Sequence, residues 1–443
     1  MIDLMNVAAY RENNRIEAKK ALGGLPKSIW ETYSAFANAL GGVILLGVQE
    51  HKDTSLTPVN LPDPEGMVRQ FWELMRDGKT VSVNILTEEN VRIAEVDGKR
   101  IIAIEVPRAR RSLRPVYIGG DPMTGTYRRN GEGDYRCKRE EVLEMQRDAA
   151  RQTADMRIVK DAGMDALEDA SVAAYLNCVD RDACDHGALV RLGAAGELDG
   201  TCHPTAAGLL LLGKEAEIQR VFPAYSVEYR DESSANSASG CNVFDFYSCV
   251  MERFRGDFEP ELLPALREAL ANCLLNADYH SGGVEVWRTA EAITFANAGQ
   301  FRVDVAAAVS GGVSDPRNLA LSRLFARMGV GQGTGSGLAA IHALWQNRGW
   351  ARPAIRETIS PAQVTVQLPL AAAGAAAEPT GKLPHSLQKS AVLAYITERI
   401  RASETEIAAH LGGDSEAASR CLAELLAEDI LTEETPGIYR LKR

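Results

Sequence analysis

Four glycines at alternate positions, Gly331, Gly333, Gly335 and Gly337, restrict the fold of this chain more than any other feature. A segment reading GVGQGTGSG cannot hold a regular helix or strand, because each glycine releases backbone that such structure must fix. It runs directly into LAAIHAL, whose apolar spacing is helical. A loop that delivers the chain to a helix N-terminus offers free N–H groups and the positive end of the helix dipole. Such a helix needs a sheet to cover. Residues 259–370 alternate helix, strand and Gly-rich loop, which predicts an α/β layer structure.

The helix expected before that loop, ALREALANCLLNADYH (265–280), is amphipathic. At 100° per residue, Leu266, Leu270, Cys273 and Leu274 share one face, while Glu268 and Asn272 stand together on the other. Glu268 there could orient or deprotonate a water, and the amide oxygen of Asn272 could bind Mg²⁺, a hard cation that takes oxygen ligands. VEVWRTAEAITFANAG (284–299) reads as a strand pair ending in Asn297-Ala298-Gly299. By contrast, Gly208–Lys214 has the spacing of a phosphate loop but four leucines inside it and Glu215 where a hydroxyl is needed. It is read as a buried strand, which excludes a P-loop helicase.

Glutamate-x-x-x-asparagine helix, N-x-G turn and glycine loop in this order resemble the GHKL-type ATPase fold of histidine kinases and DNA gyrase. More closely, residues 265–370 look like the C-terminal region of divergent-AAA or RecG-like ATP-dependent helicases. The matching residues are Arg267, Glu268, Ala269, Leu270, Asn272, Asp278 and Tyr279, then Asn297 and Gly299, then Ser314, Arg317 and Asn318, then Gly333, Gly335 and Gly337. Asn276 stands where those proteins usually have His, and Ala298 where Pro is usual. Asn297 replaces the aspartate that GHKL enzymes use on the adenine amino group. The resemblance implies an ATP·Mg²⁺ site made by Asn272, Asn297, Gly299, Gly333, Gly335 and Gly337, with Mg²⁺ on Asn272 and Glu268 as the catalytic group.

Near the N-terminus, ENNRIEAKK (12–20) predicts a strand with Ile16 and Ala18 inward and Glu17 and Lys19 together on the other face. Glu-x-Lys on a strand recurs in metal-dependent nucleases, and it is equally the spacing of a surface ion pair. Residues 27–40 have helical spacing, Gly41-Gly42 stops the helix, and VILLGV (43–48) and IIAIEV (101–106) are apolar runs of strand length. E-x4-E-x-K followed by SAFANALGGVILLGV resembles the Schlafen-type AlbA domain at Phe36, Ala37, Asn38, Gly41, Gly42, Gly47 and Val48, continuing through Arg114–Tyr117 and Tyr127–Gly131. In Schlafen nucleases three acidic residues cleave RNA. The resemblance maps these onto Glu12 and Glu17, with Glu50 as an approximate third metal ligand and Lys19 beside them. Gln49 stands where an acidic residue is usual.

Charge is distributed unevenly. The chain carries 49 Lys+Arg against 60 Asp+Glu, a formal net charge of −11. Between Pro107 and Arg139, however, nine cations, among them Arg108, Arg110, Arg111, Arg114, Arg128 and Arg129, face only Asp121, Glu132 and Asp134. That is the footprint expected of phosphate contact; the AlbA resemblance implies DNA more than RNA. Ser403–Glu434 is the opposite, with nine acids against Arg420 alone. Three helical patterns (387–400, 403–410, 414–428) and two strand-like runs there predict a winged helix-turn-helix suited to self-association or a protein partner rather than to DNA.

No apolar window is long enough for a membrane span, the N-terminus lacks a secretory pattern, and eight scattered Cys form no C-x-x-C pair. A reduced, cytoplasmic protein is expected, and the two resemblances imply one of bacterial type. The expected organisation is an α/β and α+β multidomain chain. Its parts are an AlbA-like α+β domain over 1–150, a connecting region over 151–255, a GHKL-like α/β sandwich over 256–370, a linker over 371–384 and a winged helix over 385–443. The leading functional reading is an ATP-binding, nucleic-acid-binding, homo-oligomeric transcriptional regulator. A Mg²⁺-dependent nuclease using Glu12 and Glu17, and a catalytically inactive interaction protein, stay open at this point, as does nucleotide hydrolysis.

Overall fold

The computed structural model describes residues 15–51, 55–130, 133–179, 186–232, 238–303, 305–331, 335–359, 361–371, 392, 396, 401–410, 415–427, 430–435 and 437–442. Two compact units make up the chain, one from Met1–Arg151 with His385–Arg443 and the other from Gln152–Pro384.

In the first unit the elements run β1 (Ile16–Lys19), α1 (Ile29–Asn38), β2 (Gly42–Leu46), β3 (Val48–Glu50), β4 (Leu56–Pro58), α2 (Pro64–Arg76), β5 (Val91–Val96) and β6 (Lys99–Val106). They continue with α3 (Pro122–Gly125), β7 (Tyr127–Asn130), β8 (Gly133–Arg136) and α4 (Arg139–Ala149). β1, β2, β6 and β5 form one sheet in that order, with β1 parallel to β2 and the other pairs antiparallel. Ile16 and Ala18 pack into the core under this sheet as the alternation predicts. β7 and β8 form a separate antiparallel hairpin in which Arg128 faces Tyr135 and Arg129 faces Asp134.

α1 is buried almost all round, including its polar residues Ser34 and Asn38. Asn38 donates through Nδ2 to the carbonyls of Val116 at 2.7 Å and Tyr127 at 3.0 Å, and its Oδ1 accepts the Val116 N–H at 2.8 Å. Ser34 donates to Val116 O at 2.7 Å and accepts the Tyr127 N–H at 3.0 Å. The Ser-Ala-Phe-Ala-Asn motif therefore ties two chain segments to one helix; a buried polar group left unpaired would cost about 1–3 kcal/mol.

The second unit begins with α5 (Asp169–Val179), α6 (His186–Leu192), the antiparallel pair β9 (Ala195–Leu198) and β10 (Thr201–Pro204), α7 (Ala206–Leu212) and α8 (Glu215–Val221). It continues with β11 (Val227–Asp231), β12 (Ala238–Ser239), α9 (Val243–Asp257), α10 (Leu263–Asn276), β13 (Val284–Arg288), β14 (Ala292–Ala298), α11 (Val305–Ser310), α12 (Leu319–Arg327), α13 (Gly337–Asn347), β15 (Ala354–Ile359) and β16 (Ala362–Pro369). A mixed six-stranded sheet runs β12-β11-β13-β14-β16-β15, with β11 parallel to β13. One apolar core spans α5 to β16.

Two expectations are corrected here. The leucine run at 208–212, read as a strand, lies in helix α7, capped by the Thr205 hydroxyl, which accepts the Gly208 N–H at 3.1 Å. Periodicity cannot separate a short, wholly buried helix from a buried strand, and leucine is the better helix former. The boundary expected at 255–256 falls inside α9, β11 pairs with β13, and α9 packs into the same core as α10 and β14.

Towards the C-terminus, a strand Arg401–Ser403, helices Glu404–His410 and Ser415–Ala427, and strands Leu431–Thr435 and Ile438–Leu441 make a small mixed module. Its sheet has Ile438–Leu441 in the middle, and Leu422 and Leu425 are buried. The helix expected over 387–400 lies outside the described residues apart from Val392 and Ile396. Among the described residues no helix is long and apolar enough to cross a membrane.

Candidate functional site

α10 places Glu268, Asn272 and Asn276 at successive four-residue steps, which rotate only about 40° each, so they form one polar stripe. The opposite side, with Leu266, Leu270, Cys273 and Leu274, is buried. All three polar residues line a cavity of about 120 Å³. One enclosed water needs only about 10–15 Å³, so this is room for a ligand rather than a packing defect. Facing the stripe are Asn297 on β14, Gln300, and the glycine segment at Gly335 and Gly337. Phe295, Val364 and Val366 supply an apolar wall.

The glycines are needed for close approach. A Cβ at Gly337 would overlap the Glu268 carboxylate, so the start of α13 lies directly against that side chain. Gly335 has φ +69°, and a Cβ there would come within 2.5 Å of the Val313 backbone. Burial pushes the Glu268 carboxyl above its ordinary value, with Arg267 partly opposing the shift. A half-buried carboxyl at a helix N-terminus is thereby made a stronger proton acceptor.

A second set of residues holds the helix that carries the stripe. Arg317 donates through Nε to Asn276 O at 3.2 Å and through a terminal nitrogen to Gln300 O at 3.0 Å. Asn318 donates through Nδ2 to Leu275 O at 3.2 Å and Ala277 O at 2.8 Å, and its N–H reaches Leu275 O at 3.0 Å. The last carbonyls of a helix have no partner within it, and a guanidinium also suits the negative dipole end. The Ser-x-x-Arg-Asn motif thus fixes the end of α10, while Ser314 itself lines the cavity. Asn297 is buried on β14 and donates through Nδ2 to Ala298 O at 3.0 Å. Gly299 is not in the lining; it stands beside the Arg317 guanidinium. Gly333 lies outside the described residues.

Gln300, Arg302 and Ser322 also line the cavity and were not singled out from the sequence, and Asn276, noted there only as a departure from the usual His, lines it too. Asn276 continues the four-residue step from Asn272, a signal available in the sequence; the other three come from loops and α12, where no periodicity points inward.

Family models match three stretches. Residues 12–138 match "Schlafen, AlbA_2", residues 143–228 match a domain of unknown function, DUF8451, and residues 282–366 match "Putative ATP-dependent DNA helicase recG C-terminal". The chain joins a Schlafen AlbA_2 domain to a recG-type C-terminal domain. The recG-type match begins after α10, so Glu268 and Asn272 lie outside it. No curated protein matches the chain. Among solved structures, the DIP2311 protein of Corynebacterium diphtheriae is similar at 17% identity and a TM-score of 0.41, over 99% of this chain and 82% of that one. The N-terminal domain of a "Putative ATP-dependent DNA Helicase RecG-related Protein" from Nitrosomonas europaea is similar at 32% identity and a TM-score of 0.24, over 31% of this chain and 94% of that one.

Within the AlbA_2 domain, Glu17 is held by cations on both oxygens. Oε1 is 2.7 Å from Lys19 Nζ, and Oε2 is 2.9 Å from Arg129. Arg129 is only 2% exposed, bridges to Asp134 at 3.0 Å, and lies over the Phe36 ring at 5.3 Å. Glu50 is exposed at the end of β3, and Glu12 lies outside the described residues. Among the described residues no three His, Cys, Asp or Glu side chains are grouped to hold a metal ion.

The arginines expected on phosphate divide in two. Arg114, Arg128 and Arg129 are buried, which removes them from any surface footprint. Arg128 pairs with Glu141 at 3.6 Å, and Arg111 donates to the carbonyls of Asp148 at 2.8 Å and Ala150 at 3.1 Å, at the end of α4. A run of cations in sequence counts charge but cannot tell a guanidinium that faces solvent from one that folding encloses among carboxylates. Arg108 is half-buried, while Arg110, Arg136, Lys138 and Arg139 are exposed.

Proposed function

We propose that this protein binds ATP·Mg²⁺ in the cavity between α10, β14 and α13, and that the nucleotide regulates how its AlbA_2 domain holds nucleic acid. The observation that carries this reading is the stripe of Glu268, Asn272 and Asn276 facing Gly335 and Gly337 across one cavity. A glycine segment entering a helix suits phosphate, and an amide oxygen beside a carboxylate suits Mg²⁺. The apolar wall of Phe295, Val364 and Val366 suits a base. The recG-type match supports nucleotide as the ligand and a GHKL-like layer as its host. When bound, Mg²⁺ would neutralise phosphate charge; Asn272 would orient it, and the N–H groups at the start of α13 would face the phosphate end.

Glu268 supports slow hydrolysis as a second capacity, because its raised carboxyl accepts a proton more readily than an exposed one. The nuclease reading is not carried further. Lys19 and Arg129 already neutralise Glu17 at both oxygens, so a metal there would have to compete with two cations. The biological role proposed is a bacterial, cytoplasmic, homo-oligomeric regulator, acting on DNA in transcription. The strand–helix–helix–strand–strand order after Arg401 supports a winged-helix module, and its acidic surface suits self-association or a protein partner.

The test is thermal unfolding of the full chain with ATP·Mg²⁺, alongside gel shift of labelled DNA with and without nucleotide. Ligand at 100 Kd should stabilise the protein by about 2.7 kcal/mol. A melting curve unmoved by millimolar ATP would remove the nucleotide from this reading, and an absence of any nucleic-acid complex at low salt would remove the rest.

A further inference from the structure

The β7–β8 hairpin carries an aromatic ring that the fold does not use. Tyr135 is 59% exposed, the most exposed of the large hydrophobic side chains among the described residues. A Cβ on Gly133 would lie 2.6–2.8 Å from the edge of its ring, so the absence of a side chain there lets the ring lie down over the strand. The ring edge lies over Gly133, and more than half of the side chain is open to solvent. Arg136, Lys138 and Arg139 follow it in the chain, are all exposed, and make no ion pair among the described residues. The nearby acids are occupied, Asp134 by Arg129 and Thr32, and Glu141 by Arg128 and the Lys138 N–H; exposed Glu140 is the exception.

We infer that Tyr135 is a stacking platform for an unpaired base, with Arg136, Lys138 and Arg139 on the flanking phosphates, so that the AlbA_2 domain takes single-stranded nucleic acid. This rests on the nucleic-acid reading above and narrows it. In a duplex the flat faces of the bases are covered by their neighbours, so a ring of this kind meets only edges and phosphates. In a single strand each base offers a face, and stacking on an aromatic side chain is worth about 1–3 kcal/mol per base. Charge alone would not separate the two ligands, because both carry phosphate. DNA and RNA single strands present the same stacking chemistry, and the experiment includes both.

The experiment is fluorescence anisotropy of the full-length protein at low salt. It uses labelled single-stranded DNA, single-stranded RNA and the DNA duplex, each of about 16 nucleotides, the upper end of a single-strand site. Wild type should favour one or both single strands over the duplex. Tyr135→Ala should weaken single-strand binding by about 5- to 150-fold, the equivalent of that stacking energy, while duplex binding moves less than about twofold. Tyr135→Phe should keep single-strand affinity near wild type, because the ring is kept and only the hydroxyl is lost. Melting curves of both variants should match wild type, since an exposed side chain contributes little to the core. Preference for the duplex, or single-strand affinity unmoved by Tyr135→Ala, overturns the inference while leaving nucleic-acid binding standing. No binding to any of the three ligands overturns both.

Discussion

Asp155 accepts the backbone N–H of Leu321 at 2.8 Å across 166 residues of chain. Its other oxygen accepts the Thr153 hydroxyl at 2.5 Å, and the side chain is 2% exposed. A carboxylate from the start of the second unit therefore caps the first turn of α12. Directly before that turn, Arg317 and Asn318 grip the end of α10, and directly after Leu321, Ser322 lines the cavity. One side chain thus fixes a helix that contributes to the cavity wall at both its entry and its first turn.

Removal of that cap should be costly. Asp155→Ala leaves buried N–H groups without a partner, and a loss of about 1–3 kcal/mol in unfolding free energy is expected. Asp155→Asn keeps an acceptor and should lose less. The pH dependence has a definite sign. Burial raises the folded-state value of Asp155, against the hydrogen bonds from Thr153, Leu321 and Ala320, which lower it. Its contribution is then fully present below the ordinary aspartate value and declines as pH rises through the raised one. Asparagine has no such transition, so wild type should lose stability relative to Asp155→Asn between about pH 4 and neutrality. Denaturant titrations of both proteins across that range decide it; a constant difference would contradict the raised value.

The glycine segment gives a sharper test of the cavity. Gly337→Ala drives a methyl into the Glu268 carboxylate, and Gly335→Val puts a branched side chain at φ +69° against the Val313 backbone. Both should abolish stabilisation by ATP·Mg²⁺, while Gly349→Ala, where a Cβ meets nothing within 4 Å, should keep it despite a positive φ. Thermal shifts retained in the first two variants would mean that the ligand does not approach this loop.

What the sequence could disclose of this site follows from periodicity. Glu268 and Asn272 are legible because a helix repeats every 3.6 residues, so an apolar face defines the polar one. The alternation at Ile16–Lys19 is legible for the same reason in a strand. Arg317 and Asn318 are visible as a motif, but their task is not, because a helix end is satisfied by whatever the tertiary fold brings to it. Asp155 is the extreme case. Nothing near it in sequence announces a cap for a helix that starts at Leu319. The arginines show the opposite failure, a local charge excess that folding turns inward at positions 114, 128 and 129.

That inward turn separates two kinds of arginine by experiment. Arg129→Ala leaves Glu17 and Asp134 without their shared cation in a nearly buried place, and a loss of about 3–5 kcal/mol is expected. Binding experiments on it would then report unfolding. Arg136→Ala and Arg139→Ala should leave the melting temperature near wild type and lower the slope of log affinity against log salt by about 0.7 per lost contact on single strands. A stable Arg129→Ala protein, or an unchanged slope in the exposed pair, would reverse the assignment.

The C-terminal module can be removed without touching the cavity, which lies wholly within Gln152–Pro384. Ser403–Glu434 carries nine acids against Arg420, so a nucleic-acid phosphate approaching it would be repelled. Its helix Ser415–Ala427 directs Leu422 and Leu425 into the interior, leaving the acids to define the surface that a partner meets. A chain ending at Pro384 should therefore keep its ATP-dependent thermal shift and most of its nucleic-acid affinity. What it should lose is an assembly state, read as a lower mass by light scattering at the same protein concentration. Retention of full mass together with a loss of nucleic-acid affinity would show that the module reads nucleic acid after all, through Arg440 on its last strand and Lys442 just past it rather than through its acidic helix.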